Sequence, residues 1–471
     1  MTLRAGAAPL AHDPTPRTIF TGHLRTTTTG ILILITLIAF EAMAVSAALP
    51  TAARAVHGIG GYGWAFTGFL VANVVGMVVS GQISDAHGPR RPLVAGMVAF
   101  IAGLVVAGSA TTMVQLVCGR VVQGVGSGLL ITAVYVVIGQ TYPAPLRPKL
   151  FAGISSAWVL PSLLGPIISG SLAQHASWRW VFLGLLPFVL IGAALMVPVL
   201  RGLDPPVPQP SPAPAALGDP RRVLHAFAVA AGIGALEEAG QHPSALSITA
   251  AVLGLGALAW GLRTLLPAGT IRVRRGVSAP IAMRGLLAGA FFGMESAIPL
   301  ELTVQQHYSA TAAGLPLACS GLAWALGSWW QGRAARTDEQ TRRVRMVRTG
   351  FALIAVSAVG VALAAQPATV GWLIYPAWGV AGVGAGLTMS SVSVLLLSYT
   401  NDADRGADSA ALQLSDATAS AMTTGIAGVL LAAAARGALG YAAAFTILAV
   451  AMGAVAVVGV LVSGQVRAPS T

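Results

Sequence analysis

Several ionisable side chains stand inside long apolar runs of this sequence, among them Glu41, Arg120, Glu295, Glu301 and Asp416. At the centre of a hydrocarbon layer an arginine or carboxylate costs about 2.5–3.5 kcal/mol on insertion scales, so each of these needs a partner or a task. Arg120 sits in Leu116-x-x-x-Arg120-x-x-Gln123-Gly124-x-Gly126. It either takes an acidic or polar partner or snorkels to the nearer interface. Glu41, in Phe40-Glu41-Ala-Met-Ala-Val-Ser-Ala-Ala-Leu49-Pro50, either pairs with a cation or holds its proton against a backbone carbonyl. Counted from the ends of their runs, at about 1.5 Å per residue, both lie roughly 10–14 Å below the same interface. Equal depth makes a Glu41–Arg120 pair geometrically possible. Glu295 lies beside Phe291, Phe292 and Met294. It either lines a central cavity, facing a cation or exchanging protons, or pairs with Arg284. Their separation of about three helical turns argues against direct pairing. Trp64, Phe69, Trp158, Trp324, Tyr375 and Trp378 are aromatics of the same runs. Together they could wall a site for lipophilic molecules; singly, each also fits lipid-facing or core packing.

The elements that must position these residues are apolar helices. Hydrophobic residues make up 55% of the 471 and charged residues only 9%, against about 25% charged in soluble proteins. Apolar stretches of about 20 residues, each long enough to cross a bilayer, recur from Ile31 to Val462. They segment at 28–50, 62–83, 92–111, 114–139, 149–172 and 178–200, then 223–240 and 244–266, then 279–305, 310–334, 345–366, 369–398, 407–433 and 437–463. Fourteen spans put both termini on one side. Residues 201–222 between the sixth and seventh spans contain DPPVPQPSPAPAALGDP, which cannot form a helix. The organisation expected is a tail at 1–27, a six-helix bundle at 28–200, this linker, two inserted spans at 223–266, a second bundle at 279–463 and a tail at 464–471.

Charge sets the orientation. With the N-terminus inside, the inner loops carry Arg90 and Arg91, Arg147 and Lys149, Arg221 and Arg222, Arg272, Arg274 and Arg275, and the run from Arg333 to Arg348. The opposite loops hold only Arg54, Arg179 and Arg436. That asymmetry reads as both termini cytoplasmic, and it reads the net charge of +12 as topology rather than nucleic-acid binding. Glu237 and Glu238 fall at the outer interface on this map, where carboxylates reach water. Cys118 and Cys319 support neither a disulfide framework nor a metal site and are expected to be packed core thiols. The polar N-terminus through Thr26 reads as a cytoplasmic tail rather than a cleaved signal. An internal repeat is visible: Gly124-Val-Gly126-Ser-Gly128-Leu129 recurs as Gly382-Val-Gly384-Ala-Gly386-Leu387, and an arginine follows each copy at the same interval, Arg147 and Arg405. Such repeats, with a substrate site between the halves, are a transporter architecture. The repeat offset places Trp378 where the first half has Arg120.

Four motifs resemble the major facilitator superfamily, in particular its fourteen-helix drug:proton antiporter branch, and the resemblance covers nearly the whole chain from Ile31. Gly81-Gln-Ile-Ser-Asp85-Ala-His-Gly88-Pro-Arg90-Arg91 resembles the superfamily's loop between its second and third helices. It implies a latch holding the two halves in the outward-open state, although Ala86 and Pro89 replace two expected basic residues. The Arg120 segment is similar to the family's motif B. The Glu41 segment resembles the branch's L-D-x-T-I-V-N-V-A-L-P, with glutamate in place of aspartate. Gly165-Pro166-x-x-Ser169-Gly170, with Pro161 upstream, resembles the antiporter motif, in which Pro161 and Ser169 replace expected glycines.

The resemblance implies an all-α integral membrane protein of the major facilitator fold: two six-helix bundles plus two extra transmembrane helices between them. It implies proton-coupled multidrug efflux of amphipathic or cationic compounds across the plasma (inner) membrane, with Glu41 and Arg120 coupling the proton and the motif around Pro166 favouring export. The expected cavity gathers Glu295, Phe291, Trp158, Trp378 and Gln123. No cofactor, metal or nucleic acid is expected, and the partners are substrate, protons and the bilayer around a monomer. A nucleotide-binding glycine loop followed by Lys-Ser/Thr is absent, which argues against ATP as the direct energy source. Alternatives are export of an endogenous lipid or glycolipid on the same fold, solute import, and, from another class, a membrane-embedded enzyme. For the last, Asp402-Ala-Asp404-Arg405 is the one suggestive acidic cluster, and it also reads as a solvated turn.

Overall fold

A computed structural model of the chain describes residues 18–21, 24–143, 146, 150, 153–154, 157–202, 220–333, 339–366, 371–400 and 405–467. The Pro-rich stretch 203–219, Arg147, Lys149, Asp402 and Asp404 lie outside the described residues, as do the side chains of Asp85 and Arg405. Fourteen long helices account for nearly all of the rest: α1 Leu24–Ala55, α2 Tyr62–His87, α3 Arg90–Gly108, α4 Met113–Thr141, α5 Val159–His175, α6 Leu186–Gly202, α7 Pro220–Gln241, α8 Ala245–Leu265, α9 Ser278–Val304, α10 Ala310–Arg333, α11 Glu339–Ala364, α12 Ile374–Tyr399, α13 Arg405–Ala435 and α14 Tyr441–Val462. Among the described residues there is no strand. Thirteen helices are long and apolar enough to cross a membrane. The exception, α5, is described as a continuous helix over 17 residues. The α1 helix also continues five residues past Pro50, where the apolar run suggested an end.

The order of packing follows the glycines. In α4, a methyl on Gly124 would collide with the Phe69 carbonyl and one on Gly128 with the Asn73 carbonyl, both on α2, while Gly126 lies against Phe100 of α3. Because i and i+4 share a helix face and i+2 does not, three alternate glycines let α4 press on two neighbours at once. The second copy repeats this. Gly382 and Gly386 lie against the Ser320 and Trp324 carbonyls of α10, and Gly384 against Gly350 of α11. Thus α4 sits between α2 and α3 as α12 sits between α10 and α11, and two six-helix bundles result, α1–α6 and α9–α14.

The bundles join chiefly along two helix pairs, α2 with α13 and α5 with α10, with smaller contacts from α1 to α9 and α10. The contacts that tie them cluster at the end carrying the α1–α2 turn. There Gly63 meets the backbone of Gly428, and Gly170 of α5 lies against Ala310 and Thr311 of α10. Tyr62 donates to the Ser296 carbonyl at 2.7 Å, and Thr311 donates to Gln174 at 2.9 Å. Toward the opposite end of α2, a methyl on Gly81 would meet open space. The inserted α7 and α8 pack on each other, with Gly232, Gly254 and Gly261 at their contact. The α7 helix rests on both α2 and α13. The buried residues of α8 are Gly254, Leu258 and Gly261, so its outer face meets lipid.

Candidate functional site

Glu41 and Arg120 form a buried ion pair between α1 and α4. Glu41 is 0% exposed and Arg120 2%, so the guanidinium does not snorkel. Two of its three nitrogens have hydrogen-bond partners. Its Nε donates to the Ala65 carbonyl of α2 at 3.1 Å, and one terminal nitrogen donates to Glu41 and to Gln123 Oε1, the latter at 3.3 Å. Its carbon lies 4.2 Å from the centre of the Phe69 ring, within cation–π range. Gln123 Nε2 donates to the same Glu41 oxygen at 3.3 Å. The other carboxylate oxygen, Oε2, has no hydrogen-bond partner among the described residues. The spacing explains the assembly: Arg120 and Gln123 are three apart on α4 and share a face. Glycines at 119 and 124 bring α3 and α2 against the helix on either side. A carboxylate with one spare lone-pair oxygen, facing a cation fixed by other bonds, can take a proton without the arginine losing every partner.

The second bundle replaces this pair with aromatics. Phe291 of α9 stacks on Trp378 of α12, with centroids 4.6 Å apart and planes at 26°, and Trp324 of α10 meets Phe291 edge-on at 5.3 Å. Trp378 stands where the repeat places the counterpart of Arg120, and its indole N–H has no partner. Glu295 lies one turn from Phe291 and is 7% exposed. Arg284 is not its partner: that guanidinium donates to Asp416 of α13 at 3.2 Å and to Gln413 at 3.4 Å. Glu301, nearer the end of α9, is 0% exposed, and neither carboxyl oxygen has a partner. Trp158 stands apart from the stack, 38% exposed at the residue before α5.

The motif residues fall on helix contacts. Gly88 ends α2 at φ 80°, a backbone conformation that favours glycine, and Arg90 and Arg91 are exposed at the start of α3. Pro161, Gly165, Pro166 and Gly170 are buried along α5. Gly165 faces Met43 and Ala44 of α1, while the Pro166 carbonyl faces Gly314 of α10. The motif therefore lies between α1 and the seam joining the bundles.

Three sequence expectations are corrected. Glu237 does not reach water: it is 1% exposed, pressed between α2 and α13, whereas Glu238 is exposed and paired with His242. Nothing in the sequence of α7 marks that difference, because α2 and α13 create the burial. Cys118 and Cys319 are exposed rather than packed in the core. Phe69, read as a wall aromatic or as lipid-facing or core packing, is buried and is the ring beneath Arg120. The Arg284–Asp416 pair was also missed, because its partners lie 132 residues apart. A carboxylate and a glutamine at 416 and 413, three apart on one helix, were the available signal.

The fold and composition define a polytopic integral membrane protein. A sequence profile of the Major Facilitator Superfamily matches residues 31–424, and the chain belongs to that family. Curated relatives include the MFS efflux transporter aclA of Aspergillus oryzae, 33% identical over 41% of this chain and 35% of that protein. Multidrug resistance protein 3 of Bacillus subtilis is 29% identical over 36% of this chain and 33% of its own length. The chain thus spans about a third of the length of the relatives it matches. Among solved structures, a POT family transporter in complex with 5-aminolevulinic acid superposes with a TM-score of 0.70 at 15% identity, over 96% of this chain and 99% of that one. A D-xylose-proton symporter superposes at 0.66 and 14%, over 95% and 98%. At these identities the likeness is one of fold.

Proposed function

We propose that this chain is a proton-coupled exporter that exchanges amphipathic, often cationic, small molecules for protons by alternating access. The observation that carries the reading is the dry Glu41–Arg120–Gln123 cluster, in which the carboxylate keeps one unpartnered oxygen and the arginine keeps partners besides it. Ionic groups withdrawn from water are costly unless paired, so gain or loss of a proton at Glu41 rearranges the contact between α1 and α4. Protonation from the outside releases substrate, and deprotonation to the cytoplasm resets the carrier. The loop arginines orient the chain with both termini inside the plasma membrane. In that orientation the bundles meet at the outer end. The loop from Gly81 to Arg91, Asp85 included, acts as the latch of the opposite state, and α5 with Pro166 forms part of the gate. Glu295, beside the Phe291–Trp378–Trp324 stack, receives the cationic end of a substrate whose apolar body lies on the rings. Three relatives are named as a multidrug resistance protein, a multidrug efflux pump and a multidrug transporter protein, which supports the choice of cargo.

The test is transport in proteoliposomes under an imposed pH gradient, comparing the wild type with Glu41→Gln. Gradient-driven dye efflux is expected to fall to the rate seen without a gradient, while dye still binds the variant. Undiminished gradient-driven transport by the variant would remove Glu41 from the coupling.

A further inference from the structure

The mechanism above uses the carboxyl of α1 and leaves unexplained a second buried carboxyl, carried by the helix pair inserted between the bundles. Glu237 lies one turn from the end of α7 and projects onto the crossing of α2 and α13. A methyl on Gly63 or on Gly428 would stand 2.7 Å from Glu237 Oε1, so the carboxyl lies directly over the two glycines that let the bundles touch. Oε1 accepts a hydrogen bond from Gln241 at 3.0 Å, and Oε2 has no partner. Thr67 of α2 is 0% exposed, and its hydroxyl stands with Oε2 around Gly425, each 3.7 Å from the position of a Cβ there.

Among the described residues no cation balances this group. The titratable residues of α2 are Tyr62, which donates to Ser296, and Asp85 and His87 at the opposite end of the helix. Those of α13 are Arg405, Asp408 and Asp416, the last about three turns further from the crossing. Arg263 is the one charged residue of α8, near its far end. On α7, Glu238 is engaged by His242, and Arg221, Arg222 and His225 lie at the other end. Arg436, just past α13, gives its guanidinium to the carbonyls of Gln241 and Gly240, the latter at 2.9 Å. It thereby ties the end of α7 to α13 without reaching the carboxyl.

We propose that Glu237 is a second proton-binding site, distinct from Glu41, which holds the α2–α13 seam shut when it carries its proton and lets the seam part when it loses it. An ionised carboxylate there would face glycine backbone and one hydroxyl with no counter-ion, an arrangement that a closed dry seam penalises. The neutral acid keeps the bond from Gln241 and gains an O–H for its bare side. When the bundles separate at this end, water enters the crossing, solvates the carboxylate and takes up the proton it releases. Seam closure and proton binding are therefore linked in one equilibrium: acid on the side of the α1–α2 turn favours closure there, and alkali favours opening. The inserted pair thus does more than enlarge the lipid-facing surface; it carries a pH sensor to the gate. Only the assignment of this side as the outside rests on the proposed orientation.

The full chain in nanodiscs tests this. With Cys118 and Cys319 replaced by serine, spin labels at Gly60→Cys and Ala438→Cys, both exposed and beside the seam, report its width by pulsed dipolar spectroscopy. Between about pH 6 and about pH 9, a range spanning the titration of carboxyls in altered surroundings, the wild type is expected to shift from a short to a longer distance. Glu237→Gln is expected to stay short throughout. Glu237→Met, which matches the volume without a polar end, serves as the second neutral variant should the amide disturb assembly. Glu237→Asp should keep a pH response. Glu41→Gln should also keep it, which separates this site from the proposed coupling site. A wild-type distance indifferent to pH, a wild-type-like response in the neutral variants, or loss of the response in Glu41→Gln would each overturn the proposal.

Discussion

At the scale of single residues, the Glu41–Arg120 cluster is an arrangement in which the two partners are unequal. Arginine cannot shed its charge in a protein, whereas a carboxylate can take a proton. Replacing Glu41 by glutamine therefore leaves a buried cation, softened by the Ala65 carbonyl, by Gln123 and by the Phe69 ring. A loss of about 3–5 kcal/mol is expected, the range for a buried ion pair deprived of one partner. Adding Arg120→Met to Glu41→Gln should restore most of it, because two neutral side chains of similar size often pack as well as an ion pair. Thermal unfolding in detergent reads this as a melting temperature that falls in the single variant and recovers in the double. A double variant less stable than Glu41→Gln would show that Arg120 holds α4 to α2 independently of the acid. The pair itself was legible in the sequence, since depth along a helix follows from residue count. Gln123 as a third member was visible in the spacing. Ala65 and Phe69 were not, because a backbone carbonyl carries no sequence signature and a ring under a guanidinium looks like any other apolar residue. Glu237 was misplaced for a related reason: counting along α7 gives its depth in the bilayer, but the helices from two other parts of the chain decide its burial.

At the scale of elements, the two glycine triplets make a symmetric prediction. Gly124 of α4 and Gly386 of α12 each lie against a carbonyl of the neighbouring helix, Phe69 of α2 and Trp324 of α10. Backbone cannot move aside as a flexible side-chain end can, so alanine at either position should cost about 1–3 kcal/mol, as overpacking does. Gly379 lies one turn before the second triplet on α12, and a methyl there meets nothing within 4 Å. Alanine at 379 should be neutral or gain up to about 1 kcal/mol from helix propensity. Melting curves of the three variants check the contrast, and equal losses at 379 and 386 would refute the packing argument. The triplets were visible as a repeat before any helix was placed, which is why the division into two bundles was legible. Helix ends were less so. Pro50 looked like a terminus and instead sits inside α1. A proline's missing N–H and ring break a helix where neighbours leave the backbone unsupported, but late in a buried helix packing carries it through.

At the scale of the whole molecule, one arrangement of bundles leaves its mark on accessibility. In the proposed orientation the α8–α9 loop lies inside and the α1–α2 and α13–α14 turns lie outside. Arg272 is exposed in the first of these, and Gly60 and Ala438 in the other two. In intact cells expressing the cysteine-free background, a membrane-impermeant maleimide should label Gly60→Cys and Ala438→Cys, whereas Arg272→Cys should react only after the membrane is opened. The reverse pattern would invert the orientation and, with it, the direction of proton entry at both proposed sites. The same reagent reads the gate. With the bundles joined at the α1–α2 end through Gly63, Gly428, Gly170 and Ala310, a cysteine replacing buried Thr67 is shut away in this state. A partner variant that forces the seam apart should expose it. Gly428→Ala is that variant, because its new methyl would stand 2.8 Å from Gly63 Cα, and one of the two helices must yield. Labelling of Thr67→Cys is therefore expected to rise sharply when Gly428→Ala is added, while labelling at Gly60→Cys, already exposed, stays unchanged. Equal labelling of Thr67→Cys with and without the alanine would mean that the crossing of α2 and α13 is not what closes this end of the molecule.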